Sequence, residues 1–168
     1  IVRVAQGNPW DTAFKWDIYL FASEADADKA RVNLSNLTDE NDLSSPDGLV
    51  FSEATGLCWI QTDDGAYTDK TNCMLLAAIP GTVGDGSKRT LSYKRADGSE
   101  KRVDTYVGKA QTPSTLKRFL VGPVDCEITG LCETPDGKAL FINIQHPGEG
   151  TKMADVGNPA KYTSQWPA

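Results

Sequence analysis

Two separate stretches of the chain carry the same pattern. The first is SSPDGLVFSEATGLCWIQTDD, Ser44 to Asp64, and the second is DCEITGLCETPDGKALFINIQHP, Asp125 to Pro147. Aligned on Gly56 and Gly137, each gives an acidic residue, a short strand, a turn ending in glycine, and a longer strand. LCWIQTDD falls against ALFINIQH, with Gln61 and Gln145 near the ends of the two long strands. One hairpin cannot bury its own apolar face in water, so a repeated hairpin predicts sheets stacked on one another.

The intervening sequence extends the pattern. Asn72–Pro80 (NCMLLAAIP) and Leu116–Val121 (LKRFLV) have strand composition. With the first hairpin they make one four-stranded antiparallel unit, the size of a propeller blade. Between them, residues 84–115 carry GDGSKRT and YKRADGSEKR. Both GDGS and ADGS are hairpin-turn sequences, which predicts an extra ribbon on the outer strands. Toward the N-terminus, Ile1–Val4 and Phe14–Phe21 read as strands separated by a turn at Asn8-Pro9. The polar, acidic stretch Ser23–Leu43 reads as a long loop with one helical turn at Ala25–Val32. The fold expected is therefore all-β: a partial β-propeller of about two four-stranded blades plus outer strands of a neighbour. Residues 44–121 form its first blade, with the ribbon 84–115 inserted, and residues 125–168 its second. A β-sandwich is the competing architecture.

Composition narrows the function. The 168 residues include 17 Lys and Arg against 23 Asp and Glu, a net charge of −6. No nucleic acid and no membrane is expected as the main partner, since an anionic surface needs a basic face to dock on. The longest apolar run, Met74–Ile79, is too short to span a bilayer. No signal peptide is visible and the sequence opens on Ile1, as in a processed mature protein or a piece of a longer one. The four cysteines lack CxxC spacing and share a single histidine, which argues against zinc. Cys58 and Cys132 fall in strand-like runs and are expected to be buried thiols.

The repeat singles out two acids. Asp47 and Glu127 open the two hairpins, in register to within one residue. In a propeller, the starts of the inner strands meet at one end of the central channel. Two carboxylates brought together there repel unless a cation lies between them. Calcium suits such a pair because it accepts several oxygen ligands in flexible geometry. A turn reading competes for Asp47 in Pro46–Gly48 and accounts for Asp136 in Pro135–Gly137. Glu127 lies between Cys126 and Ile128, a setting too apolar for an unpaired acid. Asp63, Asp64 and His146 are secondary candidates. In FINIQHPGE, His146 and Pro147 end a strand ladder, and a structural role at the strand exit is the expectation for His146.

The residues FKWDIYLFAS, NCMLLAA, RFLVGPVDCEITG, FINIQHPGE and SQWP, in this order with the two hairpins, resemble the C-terminal part of the PhoX-type alkaline phosphatases. The resemblance runs from about Ile1 to Trp166 and is interrupted by residues 84–115 and by the Ser23–Leu43 loop. It implies a six-bladed β-propeller parent, secreted or periplasmic in bacteria, that hydrolyses phosphate monoesters with iron and calcium ions at one end of the channel. It also implies that Asp47 and Glu127 bind calcium. The iron ligands would lie mostly outside this chain, so none of the four cysteines is expected to hold iron. Missing blades or self-association would then cover the open sheet surfaces, three two-bladed copies being one way to reach six. The isolated chain is expected to lack appreciable phosphatase activity. The alternative from another class is a non-catalytic propeller module that binds protein or ligand through its acidic loop and charged ribbon.

Overall fold

The computed structural model describes residues 1–67 and 70–167, and the chain is all-β. It divides into two compact units, Ile1–Asp42 with Pro80–Ser114, and Leu43–Ile79 with Thr115–Ala168.

The first unit holds a four-stranded sheet in the order β1-β2-β7-β6. Strand β1 (Val2–Ala5) runs antiparallel to β2 (Lys15–Ile18), and β2 meets β7 (Glu100–Val107) in a parallel pair at Ile18 and Val107. Strand β6 (Ser87–Lys94) pairs with β7 along its whole length. The inserted ribbon is thus a hairpin, and its partners are the N-terminal strands. Its ADGS sequence closes the hairpin, with Gly98 at φ 81° and the Arg95 N–H donating to the Ser99 carbonyl at 2.8 Å. GDGS instead leads into β6, after a turn in which the Asp85 N–H donates to the Thr82 carbonyl.

A buried ion cluster ties this unit together. Arg3 and Asp17 are cross-strand partners, and the guanidinium contacts both Asp17 oxygens at 2.8 and 2.6 Å. The same guanidinium reaches Asp85 at 2.7 Å and also donates to the Pro80 carbonyl. The Gly84 N–H completes Asp17, and the Lys109 N–H completes Asp85. The segment entering the ribbon and the segment leaving it are therefore both hung on one arginine. A guanidinium suits this position because its planar fork can serve two carboxylates at once.

The polar stretch after β2 is a loop, as its composition predicts, but it has a buried framework. Asn33 accepts from the Leu37 N–H and donates to the Ala25 and Leu37 carbonyls, while Asn41 accepts from the Thr38 N–H. Leu34 and Leu37 are buried beside these amides. Within Ala25–Val32, one hydrogen-bonded turn forms where the Val32 N–H donates to the Asp28 carbonyl.

The second unit contains the repeat. Strands β3 (Pro46–Phe51), β4 (Cys58–Thr62), β5 (Met74–Ala78) and β8 (Leu116–Val121) form an antiparallel sheet in that order. Strands β4 and β5 are buried on both faces, which explains why they read as continuous apolar runs rather than alternating ones. The second hairpin, β9 (Glu127–Glu133) and β10 (Leu140–Gln145), is a two-stranded sheet of its own. It packs on the first sheet through Trp59, Cys73, Leu75, Cys126 and Ile128, with Val50, Leu120 and Ile144 around them.

After β10 the chain makes only two short 3-10 turns, Met153–Asp155 and Pro159–Lys161. The second repeat is therefore a two-strand hairpin among the described residues. Pro147, Gly148, Gly150, Gly157 and Pro159 remove donors and rigidity where further strands would have to form. Ala168, the last residue of the expected second blade, lies outside the described residues. The sheets stay open, and no helix among the described residues is long and apolar enough to cross a membrane.

One cysteine expectation needs correction. Cys58 is buried, whereas Cys132 is exposed. A bulge in β9 at Gly130, whose φ is 55°, advances the strand by one residue. Side chains beyond the bulge change faces, so Leu131 turns toward the core and Cys132 away from it. All four cysteines are free thiols.

Candidate metal site

The two hairpins begin and end at neighbouring positions. Asp47 lies in a bulge, since Pro46 pairs with Thr62 and the next pair is Gly48 with Gln61. A bulge re-aims the side chain it carries and increases local twist. A Cβ at Gly48 would stand 2.6 Å from the Gln61 Oε1, so a larger residue there would have to displace the Gln61 side chain. Gln61 is buried and donates to the Ile128 carbonyl at 3.3 Å, fastening the two hairpins beside the bulge. Asp63 follows β4, with its N–H donating to the Ser45 carbonyl.

Glu127 is the first residue of β9 and is 8% exposed. Burial raises its carboxyl above the ordinary range, and the negative charges of Asp63 and Asp47 raise it further. The charge of His146 opposes them. Asp47 and Asp63 thus both act on the Glu127 carboxyl as like charges. Like charges gathered this closely are relieved either by a proton or by a cation.

At the exit of β10, Gln145 is the cross-strand partner of Glu127 and donates to its Oε2 at 2.8 Å. His146 stands in the left-handed region at φ 38°, with its Nε2 3.7 Å from the same oxygen and its Nδ1 3.2 Å from Glu149 Oε2. The sole histidine thus lies between two carboxylates at the strand exit.

Asp64 is placed differently. Its Oδ1 accepts from the Ala66 and Tyr67 N–H groups at 2.9 Å and from the Ser44 hydroxyl, so it shapes its own loop. Its Oδ2 is buried and has no hydrogen-bond partner among the described residues. A buried carboxylate oxygen lacking a donor is costly, and a cation would satisfy it. Asp136 caps the second hairpin turn, accepting from the Thr134 hydroxyl and the Lys138 N–H.

The donor chemistry fits a hard cation. Asp47, Asp63 and Glu127 supply carboxylate oxygens alone, the set that calcium prefers. Among the described residues, no three His, Cys, Asp or Glu side chains are drawn together tightly enough to form a finished metal centre. The thiols are unsuited to join. Burial pushes Cys58 and Cys73 up, and burial with the neighbouring charges of Cys73, Asp125 and Glu127 pushes Cys126 to about 11. A soft sulfur donor is also a poor ligand for a hard cation.

Sequence reasoning assigned no role to Gln145 or to the bulge at Asp47. Pairing β10 against β9 residue by residue would have set Gln145 opposite Glu127, and Gly48 directly after Asp47 was the signal for the bulge.

Fold and site together define an all-β chain that gathers carboxylates where two packed hairpins end. A family model described as Alkaline phosphatase PhoX matches residues 1–148. The chain belongs to this PhoX alkaline phosphatase family, a family of metal-dependent phosphatases. No curated protein and no solved structure gave a significant match.

Proposed function

We propose that this chain contributes Asp47 and Glu127, with Asp63 beside them, to a calcium site of a phosphate-monoester hydrolase. The observation that carries the reading is the placement of Glu127, buried at the start of β9, at the end of two packed hairpins where the charges of Asp47 and Asp63 bear on it. When bound, the cation supplies positive charge that holds a phosphate and offsets the charge gathering on its oxygens. The chain's own residues bind and orient that cation. Glu127 is held from a buried strand start, Asp47 is aimed by its bulge, and Asp63 adds charge from the end of β4. Asp64, through its unmet Oδ2, and His146 are accessory. Iron in the complete parent would be held by residues elsewhere, as the family resemblance implies. Family membership also supports reading the two sheets of the second unit as neighbouring propeller blades, with the protein acting in the periplasm or outside the cell.

Thermal melting with and without calcium chloride tests the site. A ligand that binds only the folded state, present at a hundred times its Kd, adds about 2.7 kcal/mol of stability. Wild type should melt higher in calcium, and Asp47→Ala and Glu127→Ala should each abolish the rise. Equal shifts in wild type and both variants would refute the assignment.

A further inference from the structure

The two hairpins each carry a glutamine near the end of the longer strand, and the structure gives these two glutamines different work. Gln61 is buried at 4% exposure and joins one hairpin to the other through the Ile128 carbonyl. Gln145 is solvent-exposed, and its side-chain amide donates to Oε2 of Glu127 at 2.8 Å. An exposed glutamine gains little by freezing its torsions on one acceptor unless that acceptor must be held.

From this geometry we infer that Gln145 is a positioning residue for the cation site: it pins one carboxylate oxygen of Glu127 so that the remaining lone pairs present a fixed ligand toward Asp47 and Asp63. The inference rests on the calcium reading given above. Three features support it. Gln145 and Glu127 are directly opposed in the β9–β10 register, so their side chains leave the same face at adjacent positions. His146 Nε2 stands 3.7 Å from that oxygen, too far to hydrogen-bond it. Without the amide, Glu127 would lose the 2.8 Å hydrogen bond that fixes this oxygen. A neutral donor does the work without competing charge, whereas a lysine or arginine there would repel the ion.

Residues that hold metal ligands from behind typically carry 10- to 100-fold in metal affinity. Calorimetric titration of the whole chain with calcium chloride should therefore show Gln145→Leu weakening Kd by about 10- to 100-fold. The calcium-free melting temperature should stay within about 2 °C of wild type, because an exposed side chain contributes little to folding. Binding by Gln145→Leu with wild-type Kd would overturn the positioning role while leaving the site intact. Absence of calcium binding by wild type would overturn the site itself, and this inference with it. A drop in calcium-free melting temperature that scales with the affinity loss would show Gln145 to be structural, and would also overturn the role assigned to it.

Discussion

Arg3→Met should destabilise the first unit by about 3–5 kcal/mol, the usual cost of leaving buried charges without their partner. The Arg3 side chain is 11% exposed and the Asp17 side chain 1%, so solvent cannot take over when the guanidinium is removed. Asp17 would be left buried with one backbone donor, from Gly84. Because Pro80 and Asp85 hang on the same group, the ribbon's entry should loosen with it. Urea unfolding followed by tryptophan fluorescence should show the loss, and Arg3→Met combined with Asp17→Leu should recover much of it. A single variant with the wild-type midpoint would contradict the account.

The same cluster sets an acid limit. The hydrogen bond from Arg3 holds Asp85 down to about 2, against burial, which acts the other way. For Asp17 burial would raise the carboxyl, but Arg3 and the Gly84 N–H outweigh it and the net shift is downward. A carboxylate lowered by folding stabilises the protein above its unfolded value of about 4 and loses that contribution as pH falls through the folded value. For Asp85 this window runs from about 4 to about 2. Asp85→Asn should flatten the stability loss in that range.

Ile128→Ala should cost the second unit about 2–5 kcal/mol, as for other fully buried aliphatic truncations. Ile128 is 1% exposed and packs with Trp59, Cys73, Leu75 and Cys126, where the second hairpin meets the first sheet. It is also the neighbour of Glu127, and its carbonyl receives the Gln61 amide. The resulting cavity should therefore loosen the start of β9 and lower calcium affinity as well as stability. Denaturant unfolding and a calcium titration on the same sample check both parts. A large stability loss with unaltered affinity would show that Glu127 is held independently of this packing.

The strands were legible because short apolar runs, alternating in β3, β8 and β10 and continuous in β4 and β5, stand between glycine and proline turns. The closeness of Asp47 and Glu127 follows from their equal positions at the openings of two repeats, while their ligand role is a proposal. What escaped the sequence depends on single-residue events or distant pairings. The bulge at Gly130 reverses the facing of Cys132, a one-residue shift that alternation alone cannot date. The ribbon's partner, β2, is set by Ile18 meeting Val107, residues far apart in sequence with no local signal. Asn33 and Asn41 fall in the stretch read only as a polar loop, yet they are buried, with their amides serving as partners for the loop backbone. Arg3 opposite Asp17 was readable in principle, as opposite charges on two adjacent strands.

The most direct test of the central claim is a crystal structure of the chain grown in calcium chloride. The account predicts an ion bound by carboxylate oxygens of both Asp47 and Glu127 at about 2.3–2.6 Å, with the Gln145 amide still on Glu127. Ordered carboxylates at these positions with no ion between them, or calcium held at other residues, would contradict it.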